Sequence, residues 1–305
     1  FFGVPVNPIN KAIVAVVKLL PKSMVYIFAK RYIAGLYLQD AVQATKDFNK
    51  RGILTTIDVL GEAITTKEQA IAAKEEALQV LDAIHNEKLL ANLSIKPTQF
   101  GLDIDEEFAY QQILVLVKRA AEINSFVRLD MEDSATTDKI INLYKRLRET
   151  HSNLGIVVQA YLKRTYQDVK ELDKMGANYR LCKGIYVEPA EIAYKGKQEV
   201  RDNFMKILRQ MFEDRCYVGI ATHDIWLIDE SYKLIKEMNI PKDQFEFQML
   251  LGVADTRREK INKDGYKIRV YTPFGTDWYK YSIRRLKENP NMASQIAMNM
   301  FSKRI

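Results

Sequence analysis

From Gly52 onward, short runs of apolar and β-branched residues alternate with stretches rich in Glu, Lys, Ala, Leu and Gln. The runs cover residues 53–60, 90–96, 126–131, 155–160, 179–185, 217–222, 245–251 and 268–272. Length and side-chain type make each a strand. The intervening stretches, such as 67–86 and 197–214, read as helices. Strands alternating with helices predict βα units and a parallel sheet. Near-continuous apolar runs predict strands covered on both faces. Eight units in roughly 250 residues match a (β/α)8 barrel. A doubly wound sheet uses the same units, but its dinucleotide form needs a GxGxxG loop after an early strand. Neither that loop nor GxxxxGK[ST] occurs. Residues 1–51, punctuated by Pro5, Pro8 and Pro21, are predicted as an N-terminal helical extension to a barrel over 52–305.

In such a barrel chemistry sits at the carboxyl ends of the strands, and polar residues recur there. Lys96 follows Ser94-Ile95, Asp130 follows Arg128-Leu129, and Gln159 closes the fourth run. Arg180, Lys183 and Tyr186 belong to the fifth, Thr222 and His223 to the sixth, Gln248 to the seventh and Tyr271 to the eighth. A stability role alone does not explain that repetition. Singly, each residue keeps a plainer reading. Asp130 stands in Asp-Met-Glu-Asp-Ser, where an acid caps helices. Lys96 suits a solvated loop as well as a site cation. His223 suits a structural role, and the tyrosines suit the core or rim. Arg180 and Lys183 in one apolar strand require anionic partners if buried. On a helix beyond the eighth strand, Glu288 lies within one turn of Arg284 and Arg285. It can orient both guanidiniums to grip a small carboxylate, or form a solvated surface pair.

Composition removes several function classes. Of 305 residues, 47% are hydrophobic and 28% charged, which excludes a disordered chain. Two cysteines, Cys182 and Cys216, provide no disulfide framework, and three histidines without HExxH or CxxC argue against a dedicated metal site. The net charge is +7, and the first 39 residues carry Lys11, Lys18, Lys22, Lys30 and Arg31 with no acid. The rest of the chain is thus nearly neutral, unlike the spread basic face of a nucleic-acid binder. No apolar run is long enough to span a membrane. The expectation is a cytoplasmic protein whose basic start either packs on the barrel or reaches anionic lipid at the inner face of the cell membrane. Phe1 in place of a starting methionine leaves residues before it open.

Eight segments together resemble the proline dehydrogenase family, in its monofunctional bacterial form, over residues 50–295. They are Ser94-Ile95-Lys96-Pro97, residues 129–134, Val158-Gln159-Ala160-Tyr161, residues 179–186, Ala221-Thr222-His223-Asp224, residues 245–250, residues 269–275 and Arg284-Arg285-Leu286-Lys287-Glu288. The resemblance implies a distorted (β/α)8 barrel that holds FAD non-covalently. It implies oxidation of L-proline to Δ1-pyrroline-5-carboxylate, with electrons passed to a membrane quinone. Arg284, Arg285 and Lys96 would bind the proline carboxylate, with Glu288 holding the arginines. Tyr271 would lie against the proline ring, and Tyr186 would border the pocket. Asp130 and Arg180 would be closest to the chemistry. Met131, Gln159, Lys183, Gly184, Ile185, Thr222 and His223 would hold FAD, with Gly184 admitting the cofactor near the backbone. Three departures stand out: Cys182 where relatives often have valine, Asp224 where asparagine is common, and Tyr186-Val187-Glu188-Pro189 where the long bifunctional relatives have an aromatic after the tyrosine. The length leaves no room for an aldehyde dehydrogenase module, so the product would pass to a separate pyrroline-5-carboxylate dehydrogenase. Hydroxyproline or another cyclic amine is the alternative substrate, and a non-enzymatic membrane-associated binding protein the alternative function. Tyr271 opposes the former, because a ring hydroxyl would press on it.

Overall fold

The computed structural model describes residues 22–61 and 64–288, with the side chains of 24 and 286–288 left out. Eight parallel strands close into a barrel in sequence order: β1 Leu54–Val59, β2 Ala91–Ile95, β3 Val127–Leu129, β4 Leu154–Gln159, β5 Asn178–Cys182, β6 Tyr217–Ala221, β7 Phe245–Leu250 and β8 Ile268–Phe274. The helices are α1 Lys22–Ala29, α2 Leu38–Asn49, α3 Lys67–Asn86, α4 Glu106–Glu122, α5 Thr137–Arg148, α6 Thr165–Leu172, α7 Lys197–Glu213, α8 Ile225–Glu237, α9 Asp255–Lys263 and α10 Trp278–Glu288. Local chemistry sets their starts. Thr66 and Gln69 form a capping box at α3, each side chain accepting from the other's backbone N–H. Asp105 caps α4 by accepting from Phe108 N at 3.0 Å.

The strands are not apolar on both faces, as their composition suggested. They alternate. Leu93, Leu129, Ile156, Leu181, Ile220, Phe247 and Val270 join the helices in one apolar core. A second, polar set comprises the buried Asp58, Ser94, Arg128, Arg180, Glu246 and Gln248 and the half-buried Arg269. The register strings it across neighbouring strands, with Asp58 opposite Ser94, Ser94 opposite Arg128, and Gln248 opposite Arg269. Its members are hydrogen-bonded, Asp58 by Lys96, Arg128 to Asn178, and the others to one another. Two glycines make room for it. A Cβ at Gly155 would lie 2.7 Å from Arg128 Cζ, and one at Gly219 would lie 2.8 Å from Gln248 Cδ.

The helix after β8 does not return to the barrel wall. α2 packs on β1 and β8 instead, where Thr45 and Thr55 share a hydroxyl–hydroxyl bond of 3.1 Å. α10 packs against α1, with the Tyr26 and Trp278 rings 5.1 Å apart. Val25, Ala29, Tyr32 and Ile33 join Leu60, Trp278, Tyr281 and Ile283 in a second apolar cluster. Among the described residues no helix is long and apolar enough to cross a membrane. Lys11 and Lys18 lie outside the described residues.

Candidate active site

Asp130 sits one residue beyond β3, where its N–H donates to Ile95 O at 2.8 Å. Its Oδ1 accepts from Ser94 Oγ at 2.6 Å and from Arg180 Nη1 at 2.7 Å, and its Oδ2 accepts from Tyr271 OH at 3.1 Å. Capping is therefore not its task; Asp133 serves the turn before α5 by accepting from Thr136 N at 3.2 Å. Arg180, only 7% exposed, also donates Nε to Gln248 Oε1 at 2.6 Å and lies over the Tyr271 ring. Its Nη2 is buried without a hydrogen-bond partner. Burial, with Asp130 and Asp58 adding to it, holds the Tyr271 phenol far above its ordinary pKa, so it remains a donor.

Lys96 pairs with Asp58, Nζ to Oδ1 2.7 Å. Asp58 is 1% exposed on β1, and its carboxyl is pushed up by burial and by Asp130 against the pull of Lys96. Burial also works against the Lys96 charge, but Asp58 and Asp130 outweigh it and raise the ammonium pKa. Lys96 stays charged. Glu132 ties the following loop to β3, accepting from Thr98 N at 3.1 Å and Thr98 Oγ1 at 2.6 Å. Behind Arg180, Gln248 Nε2 donates to Glu246 Oε1 at 2.7 Å. Arg269 grips both oxygens of Glu246, at 2.6 and 3.0 Å.

The residues read as cofactor contacts line the ends of β3 to β6. Met131 is buried, and Gln159 Nε2 donates to Glu132 O at 2.7 Å. Thr222 Oγ1 accepts from Asp224 N at 3.1 Å. His223 Nε2 accepts from Leu250 N at 2.8 Å, which puts its proton on Nδ1. Burial, then Arg285 and Lys183, lower its pKa to about 3, so the ring is neutral. Lys183 stands apart from the Asp130 network, 3.7 Å from Asp224, whose carboxylate is gripped by Arg201 at 3.0 and 2.6 Å. Ile185 is exposed at the rim. Gly184 has φ +107°, and an added Cβ would stand 2.6 Å from Tyr161 Cγ, in overlap with the ring. The chain's own packing already demands that glycine.

α10 brings the arginines to the same mouth. Arg284 is exposed and Arg285 buried, and their guanidiniums flank the Tyr281 ring, at 5.7 and 5.4 Å from its centroid. Arg285 is near enough to depress His223. The Tyr186 phenol is pushed up to about 12 by burial and Glu132, while Lys96 and Arg284 act in the other direction. The Glu288 side chain lies outside the described ones. Asp130, Arg180 and Tyr271 thus share one network, Lys96 adjoins it through Asp58, and Arg284 and Arg285 reach the same mouth near Tyr186 and His223. Reading the sequence missed Asp58, Ser94, Glu246 and Arg269; for Asp58 and Glu246 the available signal was an acid inside an otherwise apolar strand. Among the described residues no group of three or more His, Cys, Asp or Glu side chains is arranged to hold a metal.

A family model described as proline dehydrogenase matches residues 41–298. Proline dehydrogenase 1 of Bacillus subtilis subsp. natto is 35% identical over 275 residues, covering 90% of this chain and 91% of that protein. Proline dehydrogenase of Deinococcus radiodurans is 32% identical over 289 residues, 93% of each. Among solved structures, proline utilization A (PutA) from Bdellovibrio bacteriovorus superposes with a TM-score of 0.81 at 25% identity, over 86% of this chain and 33% of that longer one. A closed eight-stranded barrel, a polar network at one mouth and matches of this extent agree: the chain belongs to the proline dehydrogenase family.

Proposed function

We propose that this proline dehydrogenase uses FAD, held at the barrel mouth, to convert L-proline to Δ1-pyrroline-5-carboxylate and delivers the electrons to a membrane quinone. The observation that carries the cofactor assignment is Arg180: Nε and Nη1 are tied to Gln248, Ser94 and Asp130, while Nη2 is a buried donor without a partner. Leaving such a donor unmatched costs about 1–3 kcal/mol, so the site fits a ligand that presents an acceptor there. The surrounding residues fit a flavin too. Gln159, Thr222 and the neutral His223 offer polar groups along one arc, Met131 an apolar contact, Lys183 a charge for phosphate, and Gly184 and Ile185 the rim. When bound, FAD would supply the hydride acceptor for C5 of proline.

The chain's own residues bind and orient. Lys96, Arg284 and Arg285 take the carboxylate, so the ring is fixed from its non-reacting end; by resemblance Glu288 holds the arginines. Asp58 keeps Lys96 charged and in place. Tyr271, its hydroxyl fixed by Asp130, forms a wall against the proline ring, with Tyr186 at the border. That fixed wall favours proline over hydroxyproline. Proline must also lose its ammonium proton, because the nitrogen lone pair becomes the C=N bond. Asp130 accepts from Arg180 on Oδ1 and from Tyr271 on Oδ2, and its role is to position both. Of the basic residues near the start, Arg31 is spent on the barrel, donating Nε to Gly252 O at 3.0 Å. Lys22 and Lys30 lie over the Tyr279 and Tyr26 rings, at 5.7 and 5.3 Å from their centroids, and anionic lipid would gain about 1 kcal/mol from each.

The test is the visible spectrum of protein purified with FAD, before and after anaerobic L-proline. Flavin bands that bleach with L-proline and not with hydroxyproline are expected. Bands that persist would overturn the substrate assignment, and absence of bound flavin would overturn the cofactor.

A further inference from the structure

We propose that Gln248 is a positioning residue that fixes Arg180 against the redox cofactor, and that Glu246 and Arg269 behind it set its orientation. This rests on the reading of Arg180 given above. Arg180 can only donate and Glu246 can only accept, so the amide between them has one allowed orientation: Oε1 to Arg180 Nε at 2.6 Å, Nε2 to Glu246 Oε1 at 2.7 Å. Glu246 cannot turn away, because Arg269 holds both its oxygens. Gly219 faces the amide from β6 and leaves the space it fills.

The result is a buried line of alternating partners, Arg269–Glu246–Gln248–Arg180–Asp130–Tyr271, running along the barrel interior to its mouth. Gln248 is buried, with its amide bonded to Arg180 and Glu246. Its contribution is to hold the guanidinium plane with Nη2 directed out of the network. A cation held there stabilises negative charge arriving on reduction. Released from Gln248, Arg180 keeps only its Nη1 bonds to Ser94 and Asp130 and can swing about them.

The experiment measures the midpoint potential of the bound flavin together with steady-state kinetics, in the holoenzyme, for Gln248→Met, Arg180→Met and the double variant. Gln248→Met should retain flavin and shift the two-electron reduction equilibrium at least tenfold, about 30 mV more negative. It should lower kcat about tenfold with KM for proline unchanged. Arg180→Met should shift both further, and adding Gln248→Met to it should change nothing more. If Arg180→Met moves the potential and Gln248→Met does not, the Gln248 proposal is overturned and the Arg180 reading stands. If Arg180→Met leaves the potential in place, the Arg180 reading itself fails, and the proposal with it. Should Gln248→Met not fold, Gly219→Ala displaces the same amide from β6 without changing its chemistry. The same potential shift is then expected, and a wild-type potential would refute the proposal.

Discussion

Gly184→Ala separates two reasons for a glycine at the end of β5. If glycine serves only to admit the cofactor, the alanine variant keeps its cofactor-free stability and loses FAD. The structure gives another reason. The backbone at φ +107° is one that L side chains rarely adopt, at about 1–3 kcal/mol. The new Cβ would also press into Tyr161, a buried ring packed with Leu162, Ala193 and Val200. Such overpacking costs a further ~1–3 kcal/mol. Together they amount to about 2–6 kcal/mol. At roughly 2–4 °C per kcal/mol, the melting temperature of the FAD-free protein should fall by about 5–20 °C. In a Tyr161→Ala background the overlap is gone, and only the backbone part of the loss should remain. Differential scanning calorimetry of the four FAD-free proteins measures both. A Gly184→Ala melt within about 2 °C of wild type would refute the packing explanation and return the glycine to the cofactor.

Three further outcomes are expected. Arg284→Lys should raise KM for proline at least tenfold with a smaller effect on kcat, since a point charge cannot replace a bidentate fork; an unchanged KM removes Arg284 from the substrate site. Asp130→Ala should lower kcat far more than flavin content, because it releases Ser94, Arg180 and Tyr271 together; intact turnover would contradict its positioning role. Asp173, accepting from Tyr179 OH at 2.6 Å and Cys216 Sγ at 3.3 Å, is pushed up to about 6 by burial, with Asp214 adding to the rise. Its folded pKa exceeds the unfolded value of about 3.9, so its favourable contribution is complete below about pH 4 and lost as pH rises through 6. Asp173→Asn keeps both acceptor bonds without the charge, so it should stabilise the fold by about 1–2 kcal/mol at pH 8 and by well under half of that at pH 4.5. Equal melting shifts at both pH values would show that ionisation is not the cause.

The barrel was legible because its signals are local. Thr66 and Gln69 mark the start of α3 within four residues, and the eight apolar runs are separated by helix-length stretches. The site residues were legible one by one, as polar side chains at strand ends, but their partners were not. Asp130 and Tyr271 are 141 residues apart, and Arg180 and Gln248 are 68 apart. Only the closed strand order brings them together. Asp58 stands beside Lys96 only because β1 pairs with β2. Gly155 and Gly219 show why the rest was hidden, since the space each leaves is used by a side chain on another strand. The apolar reading of the strands failed for the same reason. Composition averages the two faces, and this barrel turns its charged residues inward, where Arg180 answers Asp130 and Arg269 answers Glu246.

The placement of Arg284 and Arg285 has a cause that lies far from them in sequence. A regular barrel would return its eighth helix to the wall between β8 and β1, where side chains of α10 would point away from the mouth. Here α2 packs on both of those strands, and α10 stands on α1 instead. Tyr26 against Trp278 and the cluster of Val25, Ala29, Tyr32 and Ile33 hold it there. The arginines therefore reach the mouth because residues 22–49 fill the wall and support the displaced helix. That makes the apolar residues of α1 part of how the proposed carboxylate clamp is built, although none of them carries a charge.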